Sequence, residues 1–124
     1  MKAVAYNIKI FEKEYLAKAN HKKHDITLIS NPLTLETVFY AEGKDAVIFS
    51  ADDLISGKII EGLATLGVKY LVNCFGVTDP IFQNTAERLG LLVISIPSSS
   101  YISIERMRGL AEQTISSLDK FADL

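Results

Sequence analysis

The residues able to do chemistry in this sequence cluster where apolar runs end. Asn73-Cys74-Phe75-Gly76 follows the run Lys69-Tyr70-Leu71-Val72, and Thr78-Asp79-Pro80 then opens a new segment. Ser98-Ser99-Ser100-Tyr101 follows Ile96-Pro97, Asp52-Asp53 follows Ala46 to Ser50, and Asn7-Ile8-Lys9 follows the first apolar run. If these runs are strands of an open α/β sheet, ligands gather beyond their carboxyl ends. A Gly-containing turn between a strand and a helix start serves there as a binding loop or as a plain connection, and spacing alone leaves both readings open.

Each reactive group also has a plainer reading. Cys74, at a strand end near a helix start, could have a lowered pKa. No His or acid lies beside it in sequence, so a small buried cysteine is preferred. His21 and His24 are three apart and could share a metal, but no third ligand is evident; with Lys22-Lys23 they read as a solvated loop. Asp52-Asp53 fall near the place where a receiver domain carries its phosphorylated aspartate. Such a site also needs acids after the first strand and a Lys after the fifth, and Asn7 and Pro97-Ser98 supply neither. The preferred role is a cap for a helix starting near Asp53. There is no Walker sequence and no G-x-G-x-x-G, so the chain shows no dinucleotide site. No catalytic residue and no metal site is assigned. Tyr101 either lines a pocket or covers a sheet edge.

The positioning elements follow from periodicity. Lys2 to Ile10 reads as a strand with Val4, Tyr6 and Ile8 on one face and Ala3 and Ala5 on the other. Phe11 to Ala19 reads as a helix with Phe11, Tyr15 and Ala19 spaced by four. Asp25 to Ser30 is a second strand, Asn31-Pro32 a turn, and Leu33 to Ala41 a helix capped near Thr34 and stopped by Gly43. Ala46 to Ser50 is a continuous apolar strand, buried on both faces. Asp53 to Leu66 is a helix with the stripe Ile55, Ile59, Leu63, Leu66 and a left-handed cap at Gly67. Tyr70 to Asn73 is the fourth strand. The next helix has Asp79 as N-cap, Pro80 at its first position, the stripe Phe82, Ala86, Leu89, and Gly90 at its end. Leu91 to Ile96 is the fifth strand, stopped by Pro97. A last helix, about Ile102 to Ala122, carries a narrow seam of Ile104, Met107, Ala111, Thr114, Leu118 and Phe121. That seam packs on the sheet or receives a second chain. The alternation gives an α/β, three-layer, flavodoxin-like (Rossmann-like) domain with a five-stranded, mostly parallel sheet in the order 2-1-3-4-5. Residues 1–124 form one domain, with 1–101 the core and 102–122 the C-terminal helix.

Composition bounds the function. The chain has 124 residues, 48 % of them apolar, a formal net charge of −2 and one cysteine. The charge argues against nucleic acid. A single cysteine excludes an internal disulfide. No leader-like or membrane-spanning run is visible. A cytoplasmic protein is expected.

Taken in order, these residues resemble the N-terminal substrate-binding (catalytic) domain of the D-isomer-specific 2-hydroxyacid dehydrogenases, the D-lactate dehydrogenase branch above all. Met1-Lys2-Ala3-Val4-Ala5-Tyr6, Glu14-Tyr15-Leu16, Leu33-Thr34, Asp45-Ala46-Val47, Asp52-Asp53, Leu66-Gly67-Val68-Lys69-Tyr70, Ala86-Glu87-Arg88-Leu89-Gly90-Leu91 and Ile96-Pro97 carry the resemblance over about residues 1 to 97. It implies that Asn73-Cys74-Phe75-Gly76 matches a loop, commonly Arg-(Ser/Cys)-x-Gly, whose backbone N–H groups help hold the substrate carboxylate. Here Asn73 stands for the Arg and removes a charge. Ala111-Glu112-Gln113 resembles the family's Ala-Glu-His element, with Gln for His. The family's dinucleotide fingerprint and its catalytic Arg, Glu and His have no counterpart in these residues.

The resemblance implies a stand-alone domain similar to the dehydrogenase substrate domain, inactive alone, binding a small 2-oxo or 2-hydroxy carboxylate through Asn73, Cys74, Phe75, Gly76, Ser98, Ser99 and Tyr101. The final helix is expected to fold back on the sheet. The chain itself holds no cofactor; NAD is implied only if a partner domain exists. Two alternatives stand beside this. One is a homo-oligomeric interaction module, a homodimer through the C-terminal helix. The other is one part of a split NAD-dependent dehydrogenase that needs a separate nucleotide-binding chain.

Overall fold

A computed structural model describes residues 1–50, 55–74, 80–96 and 104–124. Five strands alternate with helices: β1 (Lys2–Ala5), α1 (Ile10–Asn20), β2 (Asp25–Leu28), β3 (Ala46–Phe49), α2 (Gly57–Thr65), β4 (Tyr70–Asn73), α3 (Pro80–Arg88), β5 (Leu92–Ser95) and α4 (Ile104–Ala122). The sheet order is β2-β1-β3-β4-β5. All four pairings are parallel, with Ala3 opposite both Ile26 and Ala46, Val47 opposite Leu71, and Val72 opposite Ile94. The fold class and strand order are those expected from the alternation, and every strand is parallel.

Alternation along the strands splits the core into two layers. Val4, Tyr6, Val47, Phe49 and Leu71 pack with Ile59, Ile60 and Leu63 of α2 and Phe82 and Ala86 of α3. Ala3, Ala5, Ala46, Ile48 and Val72 face Leu16 of α1 and Ala111, Ile115, Leu118 and Phe121 of α4. The three alanines on this second face leave room for α1 and α4 to lie close on the sheet. β3 is buried along its whole length, as its unbroken apolar run requires.

Two helix exits are built alike. Gly67 has φ 92°, its N–H donates to Ala64 O, and Val68 N–H donates to Leu63 O. Gly90 has φ 79°, with Gly90 N–H to Glu87 O and Leu91 N–H to Ala86 O. Each is a Schellman cap whose next residue, Val68 or Leu91, is buried and starts the approach to a strand.

Several expectations need correction. β1 ends at Ala5, not Ile10. Asn7 turns left-handed at φ 58°, so Ile8 joins Ala3 and Ala5 rather than Val4 and Tyr6, and Ile10 opens α1. On α1, Tyr15 and Ala19 pack against the core but Phe11 is half exposed; Leu16 and Asn20 are the buried residues. The helix expected over Leu33 to Ala41 is only a 3-10 turn, Val38–Ala41. Thr37 Oγ1 donates to Pro32 O at 2.7 Å and accepts from Thr34 N–H at 2.8 Å, so side-chain hydrogen bonds replace helical ones. The Tyr6 hydroxyl fixes this crossover by donating to Thr37 O at 2.8 Å. α2 begins at Gly57 and is capped by Ser56, whose hydroxyl accepts from Ile59 N–H, not by Asp52 or Asp53. Those two aspartates, Asp79 and Pro97 lie outside the described residues.

The last helix folds back. Ala111, Thr114, Leu118 and Phe121 are buried, and Phe121 stacks on Tyr70 with ring centroids 4.5 Å apart. This part of the seam is spent inside its own chain. Among the described residues no helix is long and apolar enough to cross a membrane.

Candidate functional site

Because all strands are parallel, their carboxyl ends share one edge. β1 ends there at Ala5, β3 at Phe49, β4 at Asn73 and β5 at Ser95. Phe75, Gly76, Ser98, Ser99 and Tyr101 follow in sequence but lie outside the described residues, so only Asn73 and Cys74 of the candidate site can be placed.

The end of β4 is clamped between its neighbours. Cys74 N–H donates to Phe49 O at 2.8 Å, and Ile96 N–H donates to Asn73 O at 2.7 Å. The Cys74 amide is therefore a rung of the sheet. Asn73 and Cys74 are both buried, at 4 % and 8 % exposure, but alternation sends their side chains to opposite faces. Cys74 joins the α1–α4 layer.

The Cys74 thiol is not activated. Burial pushes it up to about 11, the Thr114 hydroxyl offsets part of the rise, and the Glu12 carboxylate adds to it. The strand-end position therefore does not lower this thiol: burial outweighs any nearby helix terminus. Cys74 Sγ lies 3.6 Å from Thr114 Oγ1, and that hydroxyl donates to Leu110 O at 2.8 Å. Between the thiol and the Thr114 hydroxyl either group can donate.

The first strand–helix turn does not fit a dinucleotide. It is Asn7-Ile8-Lys9, without Gly, and the Glu12 carboxylate already accepts Lys9 N–H at 3.0 Å. A pyrophosphate at this terminus would meet a carboxylate instead of open N–H groups. Lys9 Nζ, nearby, donates to Asn7 Oδ1 at 2.8 Å.

The opposite, amino-terminal edge holds a cluster that local sequence gave no sign of. His24 is buried, and its Nε2 meets Asp119 Oδ1 of α4 at 2.8 Å; Lys23 Nζ reaches Asp119 Oδ2 at 3.1 Å. An ionised Asp119 can only accept, so Nε2 carries the hydrogen. Asn20 fixes the turn, giving its amide to His24 O at 2.8 Å and accepting His24 N–H at 2.9 Å. The hydrogen bond from His24, with help from Lys23, holds the Asp119 carboxyl below its usual range. His21 is exposed and left-handed at φ 48°, so the two histidines do not converge. Among the described residues no three His, Cys, Asp or Glu side chains come together as a metal site. An open cleft of ≈ 910 Å³ lies at this edge, lined in part by Lys2, Lys22, His24, Asp25 and Asp45.

No protein-family model matches the chain. Single proteins do. 2-Hydroxyacid dehydrogenase A of Aspergillus oryzae is 31 % identical over 121 residues, which is 94 % of this chain and 35 % of that protein. D-lactate dehydrogenase of Escherichia coli is 31 % identical over 100 residues, 79 % of this chain and 30 % of its own length. Among solved structures, apo D-lactate dehydrogenase from Escherichia coli superposes with a TM-score of 0.73 at 29 % identity, covering 79 % of this chain and 31 % of that one. The Salmonella D-lactate dehydrogenase gives 0.73 at 30 %, covering 81 % and 31 %. A D-isomer-specific 2-hydroxyacid dehydrogenase from Lactobacillus delbrueckii, solved in its NAD-complexed form, shares the fold with a TM-score of 0.69 at 24 % identity. The chain spans about a third of the length of the curated relatives it matches. Over that third it is similar to D-lactate and 2-hydroxyacid dehydrogenases.

Proposed function

We propose that the chain is a carboxylate-binding domain of the dehydrogenase substrate-domain type, inactive in hydride transfer by itself. The ligand is a small 2-oxo or 2-hydroxy acid, and the residues that take it are Asn73, Cys74, Phe75, Gly76, Ser98, Ser99 and Tyr101. The observation that supports this is the clamped end of β4. The hydrogen bonds of Cys74 to Phe49 and of Ile96 to Asn73 fix where the loop starts. A preorganised start lowers the ordering cost of a backbone anion site. Asn73 brings no charge, so affinity rests on neutral donors and is weak.

Hydride transfer needs a cofactor held against the substrate and a proton donor beside it. The first strand–helix turn offers no pyrophosphate cradle, so NAD chemistry requires residues other than these. The relatives are about three times longer, so a second reading has the domain working with a nucleotide-binding unit.

Ligand-observed NMR with pyruvate, oxamate and several 2-hydroxy acids tests the proposal, with Gly76→Val as control. Binding that vanishes in the control supports the loop. No binding at millimolar ligand removes it for these acids. Oxidation of NADH by pyruvate with the chain alone is expected to stay at background.

A further inference from the structure

We infer that the Lys9 ammonium is the cation that meets a small carboxylate beyond the carboxyl end of β1, where the strand order reverses. The identity of that anion as a 2-oxo or 2-hydroxy acid rests on the function proposed above; the anion site at Lys9 does not.

The placement follows from topology. β1 and β3 are neighbours in the sheet. The helix that follows β1 packs on the face of Ala3, Ala5 and Ala46, and the helix that follows β3 packs on the face of Val4 and Val47. The chain therefore parts to opposite sides between these two strands, and open α/β sheets take their ligands beyond such a reversal. β4 stands next in line, because Cys74 N–H donates to Phe49 O.

Asn7-Ile8-Lys9 is the turn on the β1 side. All three of its backbone N–H groups are spent. Asn7 N–H donates to Asn31 O at 2.8 Å, Ile8 N–H to Ile29 O at 2.9 Å, and Lys9 N–H to the Glu12 carboxylate at 3.0 Å. This turn meets an anion through a side chain or not at all. Lys9 is exposed, and its Nζ donates to Asn7 Oδ1 at 2.8 Å. That tether restrains the ammonium and uses one of its three hydrogens. Lys18 and Lys23 are paired with Glu14 and Asp119, whereas among the described residues no carboxylate pairs with Lys9 Nζ. Glu12 opposes an anion here. Its charge reaches the end of β4, where it adds to the rise of the Cys74 thiol. One compact ammonium beside one carboxylate suits a small monoanion rather than a pyrophosphate. On the neutral residues proposed above, affinity is weak; Lys9 adds the charge they lack.

Backbone amide NMR tests the site with pyruvate and acetate, against acetamide and against sodium chloride at equal ionic strength. Both carboxylates are expected to shift the amides of Asn7 to Lys9, and the controls are not. Lys9→Gln is expected to weaken pyruvate by about two- to fivefold, the range of an exposed charge contact, and to flatten its salt dependence. Lys9→Arg is expected to restore both. Glu12→Gln keeps an acceptor for Lys9 N–H and removes the opposing charge, so binding is expected to tighten. Equal pyruvate affinity in Lys9→Gln and the parent chain overturns the inference and leaves the function proposed above standing. Weaker binding in Glu12→Gln, or no rescue by Lys9→Arg, reduces Lys9 to a brace for its own turn and overturns it as well. Acetate shifts at Asn7 to Lys9 without pyruvate binding support the Lys9 site and overturn the function proposed above. No shift from either carboxylate overturns both.

Discussion

The Cys74 thiol makes the chain sensitive to alkali in a way that can be measured. In the unfolded chain this thiol titrates near 9.0; folded, burial raises it to about 11. A folded-state pKa above the unfolded one leaves stability intact below about 9 and removes it as pH climbs to about 11, because only the unfolded state releases the proton. At 1.36 kcal/mol per pKa unit, a rise of about two corresponds to about 3 kcal/mol. Against the ~5–15 kcal/mol that holds a typical domain together, this is a large fraction. The perturbation is Cys74→Ala, which removes the titrating group along with some packing. The assay is urea unfolding followed by circular dichroism at pH 7, 9, 10 and 11 on both proteins. The variant starts lower at pH 7 and loses less on the way to pH 11, so the two curves converge. Tyr6, whose phenol is raised to about 12 by burial, contributes to the alkaline loss in both and cancels in the comparison. Parallel curves would falsify the account, because the thiol would then ionise as readily folded as unfolded.

Other consequences follow from the same packing. Leu118→Ala removes a side chain that is fully buried under α4 and should cost about 2–5 kcal/mol in urea unfolding with no change in solution mass. A change in mass without loss of stability would mean the seam serves a second chain. Ser56→Ala removes the N-cap of α2 and should cost about 1 kcal/mol, checked by the thermal midpoint. Asp119 is held below its usual 3.8, so its contribution is present at neutral pH and lost as pH falls through the carboxylate range. In acid titration the parent chain and Asp119→Asn should therefore approach each other below about pH 4, and a gap that persists in acid would place the effect elsewhere. Gly67→Ala forces a side chain into φ 92°, where nothing lies within 4 Å of the new Cβ, so the expected loss of about 1–2 kcal/mol is purely conformational.

What the sequence discloses depends on how local the cause is. β3, α2 and β4 are written in short-range periodicity, and their exits at Gly67 and Gly90 in single residues. The crossover after Pro32 is not, because Thr34 and Thr37 satisfy its backbone through side chains that an apolar stripe does not register. The end of β1 was misplaced because Asn7 adopts a left-handed turn that its flanking apolar residues conceal. For the site, the strand order brings the polar strand ends to one edge, and this was readable from the alternation. That Cys74 N–H is already spent on Phe49 was not readable, since it depends on how far the β3–β4 ladder runs. His24 looked like part of a solvated basic loop because its partner, Asp119, is 95 residues away.

The arrangement of α4 also bears on how the chain emerges during synthesis. β1 is made early, yet the face it shares with α1 is completed only when Ala111 to Phe121 arrive from far down the chain. Its pairing with β3 spans some forty residues, from Ala3 to Ala46, and every strand contact is a crossover. Such non-local pairing folds slowly and leaves apolar surface exposed on the ribosome. Truncations placed before Ala111 should therefore accumulate as insoluble protein.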